Sequence, residues 1–359
     1  MPVSKRVTLQ DIADRLGYSK NTISLALRNS PQIPQGTKEK IQRAASKLGY
    51  RPNAIVSRLM AELRSSQKSK FQAKLALLNA NDDPNAFTSH PTIPIYVEGC
   101  HRRANQLGYS FDSFWIQDTA MTAKRLIQIF KTRNIKGLVV VGLMGGNQLP
   151  SRLNSLWESF PVVVTGVRTR NPTLSFACVD HHMLTLRAVE RLIELGYKRP
   201  ALVLDDSIDL LVERRFSAGF KTGQVRLEDQ NRIPPFLKYK QAKADPRIFK
   251  SWILDSKPDV VLTLYNSVST WIQELGWQVP EDIGFAQLER RPESPQFAGM
   301  DQHNDIAGEA AVDMVISQIH NNESGIPKFP RATLIGATWT ESKSILSPLT
   351  EVPAAKPSA

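Results

Sequence analysis

Residues Val7–Leu27 constrain this chain more than any other stretch, because they read as two short helices pivoting on a glycine. Thr8 can N-cap the first helix, and Asp11 three positions on completes a variant capping box. Ile12, Ala13 and Leu16 recur at helical spacing and define an inward stripe. Gly17 supplies the backbone freedom that the turn requires. Ser19 is placed to cap the second helix, whose Ile23, Ala26 and Leu27 face back into the module. Lys20, Asn21, Ser24, Leu25 and Arg28 are left for the outward side. Two helices so joined form the pattern of a helix-turn-helix, whose second helix enters the major groove of double-stranded DNA. There Asn can pair with adenine and Lys with guanine, while Ser and Thr mostly meet phosphates.

The charge distribution points the same way. The 359 residues carry a net charge of +12, and residues 1–70, with 14 Lys/Arg against 4 Asp/Glu, hold +10 of it. A concentrated basic segment is the electrostatic footprint of phosphate binding. The periodic apolar residues and helix caps within it distinguish a folded module from a basic disordered tail.

After the loop Asn29–Gly36, a third helix is expected over Thr37–Leu48, with Ile41, Ala44, Ala45 and Leu48 inward and Gly49 ending it. Pro52 stops that element and Asn53 can cap the next. Ile55, Val56, Leu59, Met60 and Leu63 are many apolar positions for so short a helix. It needs a partner surface to be stable. The segment around Gln67–Lys70 reads as a linker.

Residues 7–63 resemble the DNA-binding headpiece and hinge helix of the lactose-repressor (LacI/GalR) family. The matching elements are Val7-Thr-Leu-x-Asp-Ile-Ala, Gly17-x-Ser-x-x-Thr-Ile-Ser, Leu48-Gly-Tyr-x-Pro-Asn53 and Leu59. The resemblance implies a homodimer on an operator of approximate two-fold symmetry, its hinge helices paired in the minor groove. It assigns base reading to Lys20, Asn21 and Leu25, and phosphate contacts to Thr8, Ser19, Thr22, Ser24 and Asn53. Leu59 lies where the family inserts a wedge between central base pairs and kinks the duplex. Leu25 stands where the family often has Arg, which replaces guanine pairing with contact to a thymine methyl. Val56 stands on the groove-facing side in place of a smaller Ala.

Beyond the linker, strand and helix signals alternate. Lys74–Asn79, Gly137–Val141, Val162–Thr165, Ala201–Leu204 and Val260–Leu264 are short apolar runs suited to parallel strands buried on both faces. Amphipathic segments such as Met183–Leu195 and Ile306–Ile319 lie between them. Leu107-Gly-Tyr, Leu195-Gly-Tyr and Leu275-Gly-Trp each mark a helix end leading towards a strand. The pattern is that of a doubly wound α/β protein large enough for two lobes. Ligands in such sheets bind beyond the carboxyl ends of the strands. The polar residues expected there include Asn81, Asp82, Arg168, Tyr265, Asn266 and Glu289, to which resemblance to the same family adds Arg215.

More weakly, this region resembles the effector-binding core of the same family, a two-lobed fold similar to periplasmic sugar-binding proteins. The pieces carrying it include Gly196-Tyr197, Tyr265-Asn266 and Pro280-Glu-Asp-Ile-Gly284. It departs from the family at Ser267, where Asp is common, at Glu289 for Asp, and at Phe216, where Arg is expected and Arg215 is one residue off. The expected organisation is a headpiece over 1–52, a hinge helix over 53–64, a linker over 65–73, a core over 74–340 and a disordered tail over 341–359. Within the core, the first lobe takes about 74–176 plus returning segments, and the second about 177–300.

Other chemistries find little support. Gly142-Leu-Met-Gly-Gly146 lacks both the dinucleotide fingerprint and a P-loop lysine. His181 and His182 have no Cys/His cluster near them, so no metal or other cofactor is expected. There is no Gly-x-Ser-x-Gly elbow, no run of about 18 apolar residues and no apolar leader after Lys5 and Arg6. Cys100 and Cys178 make no disulfide framework and fit a reducing cytoplasm. The expectation is a cytoplasmic transcriptional regulator, a repressor controlled by a sugar or related metabolite between two lobes. An α/β enzyme fused to a headpiece, and a regulator that needs no effector, are the alternatives.

Overall fold

A computed structural model of the chain describes residues 7–27, 29–50 and 73–346. The expected hinge helix and nearly all of the linker lie outside the described residues.

The amino-terminal module comprises α1 (Leu9–Leu16), α2 (Lys20–Leu27) and α3 (Gln35–Lys47). The amide of Asp11 donates to Thr8 Oγ1 at 3.3 Å, and the amide of Thr8 donates to Asp11 Oδ2 at 2.7 Å. This reciprocal box satisfies two donors that a helix start otherwise leaves open. Gly17 closes α1 at φ 70°, a left-handed conformation that costs a glycine little. Ser19 Oγ then accepts from the Thr22 amide at 3.1 Å, starting α2. Ile12, Ala13, Ile23, Ala26, Ile41 and Ala45 are buried together where the three helices meet. The third helix begins two residues earlier than expected, because Pro34 is its N-cap and the Pro34 carbonyl accepts from the Thr37 and Lys38 amides at 3.0 Å. Thr8→Ala is expected to loosen α1 by about 1 kcal/mol, read as roughly fivefold faster amide exchange over Leu9–Leu16.

The rest of the described chain forms two α/β lobes. The first contains a six-stranded parallel sheet, ordered β10-β5-β4-β3-β1-β2. Its strands are β1 (Ala73–Asn79), β2 (Tyr109–Trp115), β3 (Ile135–Val141), β4 (Val162–Thr165), β5 (Ser175–Val179) and β10 (Ala332–Ile335). The second sheet is ordered β11-β9-β8-β7-β6, with only β11 antiparallel to its neighbour. Its strands are β6 (Pro200–Val203), β7 (Val260–Thr263), β8 (Gly284–Gln287), β9 (Ala298–Asp301) and β11 (Thr338–Thr340). Nearly every residue of β1, β3, β4, β5, β6, β7 and β8 is buried, as continuous apolar runs require when helices cover both faces.

Three helix-to-strand joints follow one rule. Gly108, Gly196 and Gly276 take φ of 80°, 98° and 81°, each just after a helix end. The glycine reverses the chain, and the aromatic after it leads towards β2, β6 or β8.

The chain passes between lobes three times: after β5, between β9 and the helix Asn304–His320, and between β10 and β11. That long helix therefore returns to the first lobe, where it crosses the helix Ile93–Gln106. Glycines make the crossing close. A Cβ on Gly99 would stand 1.9 Å from the Asp305 carbonyl oxygen, and one on Gly308 2.3 Å from that of Tyr96. Arg102 clamps the same pair through Asp305 and Glu309, each at 2.6 Å.

Two expected boundaries move. The whole of β5 pairs within the first sheet, so the first lobe runs to Val179 rather than about 176. Residues 341–346 are packed rather than a disordered tail. The Ser344 carbonyl accepts from the Phe285 amide at 2.8 Å, and Ile345 is buried against the core. They extend the second lobe by capping its sheet. Residues 347–359 lie outside the described residues.

Candidate functional site

Two surfaces carry the candidate chemistry. The first is the start of α2, where Lys20 and Asn21 occupy the first turn and are exposed. An N-terminal first turn is where a recognition helix meets base edges. Ser24 and Leu25 are half-buried one turn on. Ser19 Oγ and Thr22 Oγ1 lie 2.8 Å apart, so one hydroxyl donates to the other at the helix start. The far end of α2 is braced by Gln42, whose side-chain amide donates to the Ala26 carbonyl at 3.2 Å. Thr8 is exposed on the N-cap of α1. Arg28, Asn53, Val56 and Leu59 lie outside the described residues.

The second is a cleft of about 450 Å³ between the lobes. The first lobe contributes Thr92, Ile93 and Tyr96, then Gly142, Leu143 and Met144 after β3, and Gly166 and Val167 after β4. The second contributes His181, Ile208, Leu211, Val212 and Phe216, then Leu264–Ser267 after β7, and Glu289 and Arg291 after β8. Both walls thus rise from the carboxyl ends of strands, where open α/β sheets take ligands.

One buried carboxylate ties the walls together. Glu289 Oε2 accepts from Thr92 Oγ1 of the first lobe at 3.2 Å and from Arg291 Nη2 at 2.9 Å. Its Oε1 accepts from Asn304 Nδ2 at 3.1 Å, on the second of the three crossings. Asn266 donates to Ser294 at 2.9 Å and accepts from Gln287. Tyr239, which also lines the cleft, shares a hydrogen bond of 2.8 Å with Ser267 and stacks on Tyr265 at 3.5 Å. Burial pushes the Tyr265 phenol well up and holds the His181 imidazole down to about 3, with Arg215 adding to the latter. The His181 ring, 4.8 Å edge-on to Phe216, is therefore neutral at ordinary pH.

Of the residues expected on this edge, Tyr265, Asn266 and Glu289 meet in the cleft. The other four do not. Asn81 and Asp82 line a separate hollow with Gln117 and Asn147. Asn81 is occupied there, accepting from the Asp83 amide at 2.9 Å and donating to the Gly142 carbonyl at 3.2 Å. Arg168 and Arg215 turn instead to Glu213, at 3.6 and 3.8 Å, and Arg170 joins them at 3.6 Å. Glu213 and Arg214 are consecutive left-handed residues, at φ 57° and 64°. Arg214 is anchored by Asp206 and by the fully buried Asp209. This turn extends Glu213 from the second lobe to two arginines of the first.

Thr92, Tyr96, Tyr239 and Arg291 were not anticipated from the sequence. Thr92 and Arg291 lie on connections whose composition resembles any polar loop, while Tyr96 sits within the helix Ile93–Gln106 and Tyr239 starts a short helix, where an aromatic reads as core. Phe216 is the exception, since it stands at the position where the resemblance expected an arginine. Among the described residues, no group of three or more His, Cys, Asp or Glu is placed to hold a metal ion. None of their helices is long and apolar enough to cross a membrane.

Fold and site together define a DNA-binding regulator: a helix-turn-helix module ahead of a two-lobed α/β body with a cleft between its lobes. Residues 8–53 match the family described as bacterial regulatory proteins, lacI family. It is 23% identical over 328 residues to the HTH-type transcriptional regulator MalR of Streptococcus pneumoniae, covering 89% of this chain and 94% of that protein. In fold it is similar to the regulator CelR in complex with cellobiose, with a TM-score of 0.58, 18% identity and coverage of 94% and 100% of the two chains. It is similar also to the lac repressor dimer bound to operator and the anti-inducer ONPF, at a TM-score of 0.55, 19% identity and coverage of 96% and 100%.

Proposed function

We propose that this chain works as a cytoplasmic homodimeric repressor whose operator affinity is set by a small molecule held between the lobes. The observation that carries the reading is the cleft, with Glu289 of the second lobe bonded to Thr92 of the first. A ligand there touches both lobes, so it binds one lobe arrangement better than another and shifts the balance between them. Coupling of about 1–3 kcal/mol between ligand and operator is the usual scale of such linkage. The names of the similar proteins support the same reading: one is a complex with cellobiose, another a dimer on its operator. The chemistry proposed is binding, a reading that the regulator names of the similar proteins support.

At the DNA end, Lys20 and Asn21 read base edges and Leu25 meets a thymine methyl. Thr8, Ser19, Thr22, Ser24, Arg28 and Asn53 hold phosphates. Val56 and Leu59 enter the minor groove, Leu59 as the wedge. The test begins by selecting bound sequences from random duplexes with the full chain. Against the recovered operator, Lys20→Ala and Asn21→Ala should each lose roughly 1–3 kcal/mol of discrimination. Equal weakening on operator and random DNA would assign both side chains to the phosphates instead.

A further inference from the structure

We infer that the cleft takes an uncharged, flat ring compound bearing few hydroxyls rather than a polyol. The inference rests on the reading of the cleft as the ligand site, and it comes from what its walls leave available. Ile93, Met144 and Val167 on one lobe and Leu211, Val212 and Phe216 on the other line the same space. A polyol between such walls would bury hydroxyls without partners, which is unfavourable.

Most of the polar side chains that could have answered those hydroxyls are spent on one another. His181 Nδ1, buried in the wall, has no partner among the described residues and is left for one polar group of a ligand. Glu289 is taken by Thr92, Arg291 and Asn304. Asn266 is taken by Ser294 and Gln287. Tyr239 and Ser267 bond to each other, and Gln302 donates to the Leu288 carbonyl at 2.8 Å. Tyr96, beside Gly166, takes no part in these pairings, and its hydroxyl suits a single polar group on a ligand. Glu289 and Arg291 neutralise each other, so a charged ligand finds no opposite charge free in the wall. Tyr239 and Tyr265, stacked at 3.5 Å, both line the cleft, and a planar partner suits such rings. The space is of the size that small-molecule pockets with apolar walls occupy.

The experiment is calorimetric titration of the full-length protein with 2-naphthol, 2-naphthoate and cellobiose. The expected result is 2-naphthol binding at least tenfold more tightly than either of the others. Met144→Glu, which places a carboxylate on a half-buried loop, should weaken 2-naphthol at least tenfold. Val212→Trp, which fills the cleft, should abolish it, with circular dichroism confirming that each variant is folded. Cellobiose binding more tightly than 2-naphthol, and lost in Val212→Trp, would overturn the ring class yet keep the cleft as the ligand site. Binding of 2-naphthol unchanged in both variants would overturn the ring class and deny that probe the cleft. Failure of all three probes to bind would overturn both the ring class and the cleft's role as sensor.

Discussion

Gly308→Ala is expected to destabilise the first lobe by about 3 kcal/mol or more, the upper end of what overpacking costs. The added methyl would stand 2.3 Å from the Tyr96 carbonyl oxygen and 3.1 Å from the Cys100 amide nitrogen. Both neighbours are backbone within a helix, so neither can swing away as a side-chain tip would. Relief requires the helices Ile93–Gln106 and Asn304–His320 to part. Separation would stretch the Arg102 ion pairs and the contact of Cys100 Sγ with the Gly308 carbonyl at 3.4 Å. A thermal melt followed by circular dichroism should show the midpoint fall by roughly 6–12 °C. Gly146→Ala in the same lobe is the control, since no atom lies within 4 Å of the methyl it would add. Equal midpoints for the two variants would show that the helix crossing tolerates a wider separation than its geometry implies.

The second large effect concerns salt. Operator affinity should fall by about 10³–10⁵-fold between 50 and 200 mM salt if a dimer neutralises some 6–10 phosphates, as counterion release demands. The cause is the placement of charge: residues 1–70 hold +10 of the net +12. Arg15, Lys20 and Lys47 are exposed on the three-helix module, where a polyanion can reach them. Lys40 and Arg43 are exposed too, Lys40 over Tyr18 and Arg43 paired with Glu39. Fluorescence anisotropy on a labelled operator at four salt concentrations gives the slope directly. A flat response would remove the phosphate-contact account and leave the basic module without a role.

These two predictions differ in how far the sequence foretold them. The module was legible almost residue by residue, because capping, a glycine turn and a 3.6-residue stripe are local signals. Thr8, Asp11, Gly17 and Ser19 each act within four positions of themselves. The five apolar runs were legible for a related reason, since a strand buried on both faces must be apolar throughout. β2 was marked only by the Leu107-Gly-Tyr joint before it, because Tyr109–Trp115 is mostly half-buried at the sheet edge and mixes polar with aromatic residues. β8 was marked only by the Leu275-Gly-Trp joint and Ile283-Gly284. β9 (Ala298–Asp301) and β11 (Thr338–Thr340) escaped because their glycine, threonines and acid break the apolar run that revealed β4, β6 and β7.

The cleft was the hardest to foresee, for it depends on which distant loops meet. Thr92 and Glu289 are 197 positions apart and share a hydrogen bond. Asn81 carries the residue type a ligand site would use, yet local backbone amides and carbonyls claim it first. Arg168 and Arg215 were drawn off by Glu213, whose position depends on a left-handed turn that neither Glu nor Arg advertises. Such competition between a ligand and the protein's own polar groups is visible only in three dimensions.

The triple passage between the lobes has a consequence for how the molecule is made. On a ribosome, β1 to β5 emerge early, but the helix that covers their sheet and the strand that borders β5 come only after residue 303. The second sheet has nearly all its strands before the first is complete. Until then β5 is an open edge beside an uncovered apolar face, a combination prone to pairing with other chains. A nascent chain stalled near residue 300 should therefore depend on chaperones far more than one released at full length.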